Sequence, residues 1–81
     1  MQTLYLWTGG KGWEEYKYNN IVDLRREFEV RRIEIGNDVE IGNSVKIRDG
    51  VKIRDGVKIR DGVEIGDDVK IEYGVEIVDG V

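Results

Sequence analysis

"VKIRDGVKIRDGVKIRDG", residues 45–62, is one hexapeptide written three times without an error. Adjacent identical copies imply that each sits in the same environment. Outward from the triplet the period continues in both directions. Val stands at 39, 45, 51, 57, 63, 69, 75 and 81, Ile33 opens the series, and Ile recurs at 35, 41, 47, 53, 59, 65, 71 and 77. Each unit reads V-x-I followed by three positions rich in Gly, Asp and Asn, which is a short alternating strand with a turn behind it. Alternation points both apolar residues of a unit to one side and the intervening Lys or Glu to the other. An α-helix would scatter a hexapeptide period around its axis, and β-branched residues with eleven Gly in the chain disfavour helix further. Strands this short bury two side chains each, too few for a meander of hairpins, but they can stack as a solenoid.

The register "IEIGND VEIGNS VKIRDG VKIRDG VKIRDG VEIGDD VKIEYG VEIVDG" resembles the hexapeptide repeat of left-handed parallel β-helices, best known from the hexapeptide acyltransferases. The resemblance covers 49 of the 81 residues. It implies a mainly β chain, a short left-handed parallel β-helix in which three hexapeptides form one triangular coil and residue i stacks on residue i+18. On that basis residues 33–81 make about 2.7 coils. Charge supports the stacking. At a separation of 18, opposite signs meet at Glu34/Lys52, Glu40/Lys58, Lys46/Glu64, Lys58/Glu76 and Arg54/Glu72, and only Lys52/Lys70 is like-signed. A separation of 12 gives four favourable and four unfavourable pairs, and 24 gives three and two. Exposed pairs of this kind contribute roughly 0.2–1 kcal/mol each, so they set register more than they hold the fold together. Within the triplet, Arg48 and Arg60 lack an acidic partner at 18, which marks them as candidates for contact with another chain.

Residues 1–32 follow different rules and read as a capping segment before the repeat domain of 33–81. They carry six of the seven aromatics, Tyr5, Trp7, Trp13, Tyr16, Tyr18 and Phe28, and a charge of +1 against −5 for the remainder. "TLYLW" alternates as a strand, "TGGKG" is a Gly-rich turn and "WEEYKY" a second strand. Asn20 is a candidate N-cap, with Ile21, Leu24 and Phe28 at helical spacing and a helix ending near Arg31. This β-β-α unit is expected to lie as a lid on the N-terminal end of the solenoid, since repeat arrays need caps.

Composition excludes several chemistries. The chain has no Cys and no His, so thiolate sites, disulfides and the commonest general base are missing. A net charge of −4 gives no global field for nucleic acid, and no apolar run approaches the ~20 residues of a membrane span. The start lacks the features of a signal peptide, and a cytoplasmic protein is the expectation. The resemblance suggests acyl transfer, which in those enzymes commonly uses an imidazole at a trimer interface. This chain has no His and no long loop insertions, so no catalytic residue, cofactor or metal site is assigned, and an acyltransferase-like protein without the catalytic His is only a remote alternative. "GGKG" lacks the spacing and the Ser or Thr of a phosphate loop. Stacked turn residues Asn43/Asp61/Asp79 and Asp49/Asp67 are too few for calcium and read as solvated corners.

Two functions from different classes remain. The first is a non-catalytic structural or assembly module, a homo-oligomer (a trimer in the manner of the resembled family) that self-associates or docks a partner through an open last coil or the flat faces of the prism. Its candidate interface is Arg48, Arg60, Val69, Ile71, Tyr73, Val75, Ile77 and Val81. Three perfect copies and an end inside a coil are also what an idealised or trimmed chain would show. The second is a small carbohydrate- or nucleotide-binding module built on Trp7, Lys11, Trp13 and Tyr16.

Overall fold

A computed structural model describes residues 1–78. In chain order the elements are β1 (Gln2–Trp7), β2 (Trp13–Tyr18), a 3-10 turn (Ile21–Leu24), α1 (Arg25–Val30), and eight short strands: β3 (Glu34–Ile35), β4 (Glu40–Ile41), β5 (Val45–Ile47), β6 (Lys52–Ile53), β7 (Lys58–Ile59), β8 (Glu64–Ile65), β9 (Lys70–Ile71) and β10 (Glu76–Ile77). Each of these eight holds the x-I of its V-x-I unit. Successive strands pass to three different sheets in turn, ordered β2-β1-β5-β8, β3-β6-β9 and β10-β7-β4. Within each sheet the repeat strands are parallel and pair at a separation of 18, as in Glu34 with Lys52, Lys46 with Glu64 and Glu40 with Lys58. Backbone bonds repeat with the same step: Glu34 N–H donates to Val51 O at 2.9 Å and Lys52 N–H to Val69 O at 2.9 Å.

What turns the chain between sheets is a left-handed backbone residue at the sixth place of the hexad. Positive φ occurs at Arg32, Asp38, Ser44, Gly50, Gly56, Gly62, Asp68 and Gly74, an unbroken series of step six. Half of these positions are not Gly, so those corners carry the steric penalty of an L-residue in this region. Packing outweighs it, because each corner aims a Val and an Ile into a shared core. Val45, Ile47, Val51 and Val57 are fully enclosed, and Ile53, Ile59, Val63, Ile65 and Ile71 are buried. Full burial of each such side chain is worth about 1.5–3 kcal/mol.

The N-terminal segment shares a sheet with the repeat strands. β1 enters the first layer itself, running parallel to β5 with Leu4 opposite Val45, Tyr5 opposite Lys46 and Leu6 opposite Ile47. Leu4-Tyr5-Leu6 thus takes the part of a V-x-I unit, and both leucines are completely buried. β2 continues the same sheet outward as an antiparallel hairpin partner. The helical stretch begins as expected at Asn20, whose side chain caps Val22 N–H while Asp23 reaches back to the Asn20 amide. Its first turn is 3-10, however, and the α-helix proper ends at Val30. Leu24 and Phe28 insert into the core, and Ile33 N–H donates to Phe28 O at 2.9 Å. Among the described residues no helix is long and apolar enough to cross a membrane.

Candidate functional site

The hairpin sorts the aromatic residues by strand parity. Trp7 lies opposite Trp13 and Tyr5 opposite Glu15, placing Tyr5, Trp7 and Trp13 on the outer face, while Tyr16 and Tyr18 share the inner face with Leu4. The turn is closed by Thr8, whose amide and hydroxyl both donate to Gly12 O at 2.9 and 2.6 Å, leaving Lys11 exposed at the tip. Trp7 and Trp13 meet edge to face with centroids 5.2 Å apart. The four residues expected to form one binding surface are therefore not brought together. Trp7 and Trp13 meet, but Tyr16 lies on the opposite face and Lys11 beyond the strands.

Cations from the triplet occupy the outer aromatic face. The Arg48 guanidinium carbon stands 3.9 Å from the Trp7 centroid, and Lys46 Nζ is 5.9 Å from Tyr5 and 5.7 Å from Trp13. Arg48 Nε also donates to Asp67 Oδ1 at 3.2 Å, and Arg60 Nε donates to Glu76 Oε2 at 2.9 Å. The two arginines without an acid at 18, expected as candidates for contact with another chain, thus have acidic partners at separations of 19 and 16. Their long side chains reach diagonally, to acids displaced from the direct stacking position, where a strict step of 18 finds nothing. Of the stacked pairs read from charge, Lys52–Glu34 and Lys58–Glu40 form at 3.9 Å. Lys46 turns to the rings although it is in register with Glu64, Glu76 engages Arg60, and among the described residues Arg54 and Glu72 form no ion pair.

On the inner side a second polar group ties the hairpin to α1. Arg31 Nη1 donates to Glu27 Oε1 at 3.0 Å, Nη2 to the Tyr16 hydroxyl at 3.2 Å, and Nε to Trp7 O at 3.1 Å. The Arg31 hydrogen bond holds the Glu27 carboxyl below its ordinary range, whereas burial raises the Tyr16 phenol against the opposing pull of Arg31. Tyr18 is more enclosed still. Burial raises its phenol, and among the described residues its hydroxyl has no hydrogen-bond partner.

Three corner acids, Asp55, Asp61 and Asp67, serve the backbone or an arginine, whereas the buried Oδ1 of Asp49 has no hydrogen-bond partner among the described residues. Asp55 Oδ1 accepts from Asn37 N–H at 2.8 Å and Asp61 Oδ1 from Asn43 N–H at 2.7 Å. Asp79 lies outside the described residues. Among those residues, no group of three potential ligands converges in a way that could hold a metal ion. A hollow of about 440 Å³ between the Tyr18–Ile21 turn and the free edge of β4, lined among others by Lys58, Arg60, Glu40 and Asp61, has no counterpart in the sequence reading. It arises from strand topology, which leaves β4 at the edge of its sheet, and no sequence motif announces it.

At the other end the three sheets, among the described residues, finish on β8, β9 and β10. Val69 and Val75 hold the same hexad place as Val51 and Val57, yet they are 38% and 39% exposed where those two are 0%. Ile77 is half-buried, Tyr73 is 67% exposed and Ile71 is buried, so Ile71 itself presents little surface. Val81 lies outside the described residues. Val63, Val69, Ile71 and Ile77 border an apolar hollow of about 160 Å³.

Short parallel strands in three sheets, stepped by three hexapeptides and turned by a left-handed corner once per hexapeptide, define a hexapeptide-repeat β-helix protein. The family described as "Bacterial transferase hexapeptide (six repeats)" matches residues 32–64 and again 44–79, and the chain belongs to this family. No curated protein and no solved structure matches the chain.

Proposed function

We propose that the chain is a non-catalytic structural module, a short left-handed parallel β-helix of about 2.7 coils with residues 1–32 as a β-β-α cap, whose work is self-association in the cytoplasm. The observation that carries this reading is the exposure of Val69 and Val75 beside β8, β9 and β10, which are sheet edges among the described residues. Apolar core positions next to unpaired strand edges are a template for another chain. The flat prism faces are the other available surface. They are charged, with Glu34, Lys52 and Lys70 on one and Glu40, Lys58 and Glu76 on another, and so favour the end over the sides. Acyl transfer has no support in the side chains available, since a base titrating near neutrality is missing from the composition.

The aromatic segment as a ligand platform is weakened by Arg48, which already stands over Trp7. Sedimentation velocity over a wide concentration range tests the main reading. An associating species is expected, and a monomer throughout would sink it.

A further inference from the structure

The two ends of the solenoid are not equivalent. At the N-terminal end β2 lies beyond β1 in one sheet and Phe28 of α1 takes the Ile33 amide beside another, while β4 keeps a free edge. At the C-terminal end β8, β9 and β10 are all edges among the described residues. All three C-terminal edges can therefore be matched at once only by the same end of a second copy, a tail-to-tail pairing that closes on itself.

Backbone direction restricts that pairing further. Lys52 and Arg54 donate to Val69 O and Ile71 O, so strand alternation aims the N–H and C=O groups of Lys70 and Glu72 away from β6, off the edge of the sheet. If β9 pairs antiparallel with β9 of a second copy, only residues of this outward parity can exchange hydrogen bonds. Lys70 opposite Lys70, or Glu72 opposite Glu72, sets like charges together. Ile71 opposite Ile71 instead sets Lys70 of each copy against Glu72 of the other, a reciprocal ion pair on both sides of the axis. The same operation brings β8 of one copy to β10 of the other, with Glu64 facing Val78 and Gly66 facing Glu76, and no like charges opposed. A two-fold axis through β8 would oppose Glu72 to Glu76, and one through β10 would oppose Glu64 to Glu72. Of the three axes one is self-complementary.

We propose that two copies join tail to tail about a two-fold axis through β9, with Lys70 of each paired to Glu72 of the other. This rests on the self-association reading above and names its geometry. The exposed Val69 and Val75 and the hollow beside them would then face the second copy, Val69 opposite its Tyr73 and Val75 opposite its Asp67.

Charge reversal tests it. Lys70→Glu alone opposes two acids and Glu72→Lys alone opposes two bases, so each variant should raise the dimer dissociation constant by about tenfold or more. Mixing the two single variants in equal amounts should restore a dimer, because each then supplies the other's missing sign. The double exchange Lys70→Glu with Glu72→Lys should also restore it. Circular dichroism melts on each variant separate loss of pairing from loss of fold. If the wild type associates but neither single variant weakens it, or if both weaken it and the mixture fails to recover, the two-fold axis is wrong while self-association stands. A wild type that never associates removes both.

Discussion

Arg48 stands over Trp7 at 3.9 Å while its Nε donates to Asp67, so a single side chain joins the aromatic hairpin to the turn that follows β8. The contact is half-buried and two-sided, which makes it worth more than an exposed ion pair. Arg48→Ala should cost about 1–2 kcal/mol in urea unfolding and shift tryptophan emission. Lys52→Ala, which removes only the exposed 3.9 Å pair with Glu34, should cost less than about 0.5 kcal/mol.

The corner series predicts stabilising changes. Arg32 holds φ of 58° just after α1, and Ser44 holds 59° at the corner before β5. Replacing either by Gly relieves a left-handed L-residue at the expense of unfolded-state entropy, with a net gain of roughly 0.5–1 kcal/mol. Gly56→Ala, at φ of 73°, should lose about 1 kcal/mol. Thermal melts of the three variants would show the opposite signs.

Close approach between coils predicts a contrast at one hexad place. A Cβ on Gly36 would lie 2.7 Å from Asp55 N and 2.8 Å from Arg54 C, both backbone atoms, whereas one on Gly66 would meet nothing within 4 Å. Gly36→Ala should destabilise by about 1–3 kcal/mol and Gly66→Ala by less than about 0.5 kcal/mol. Equal effects at the two sites would contradict the stacking described.

Tyr18 predicts a pH dependence. Its phenol is raised by burial, so between the ordinary value near 10 and the folded value the unfolded chain loses a proton that the folded chain keeps. The unfolded state therefore binds fewer protons, and stability falls as pH rises through that window. Tyr18→Phe removes a buried hydroxyl that has no partner among the described residues. It should leave stability at neutral pH unchanged or higher by about 1 kcal/mol and flatten the alkaline decline. Equilibrium unfolding of both forms from neutral to alkaline pH checks the slope.

Much of this architecture was legible because one physical pattern dominates it. Val and Ile at fixed places of a hexapeptide dictate the strands, and the family resemblance, supported by the charge pairs, implies the step of 18. The part played by Leu4-Tyr5-Leu6 was not legible, because it pairs with Val45-Lys46-Ile47 from the far side of the hairpin and helix, and its leucines do not repeat the Val/Ile code. Asn20 announced its helix by side-chain chemistry, but whether the first turn is 3-10 or α depends on packing of Leu24 and Phe28. The aromatic cluster looked single in the sequence, and antiparallel pairing of Trp7 with Trp13 split it by face. Arg48 and Arg60 escaped a stacking rule because long side chains reach diagonal neighbours as readily as direct ones.

Sedimentation equilibrium of the wild type beside Val75→Asp measures the central claim most directly. Val75 is 39% exposed, so the substitution places a carboxylate opposite Asp67 of the second copy with little effect on the core below it. The wild type should approach twice the chain mass of 9.3 kDa as concentration rises, and Val75→Asp should stay at 9.3 kDa. A wild type that remains at the single-chain mass at every concentration would contradict the account.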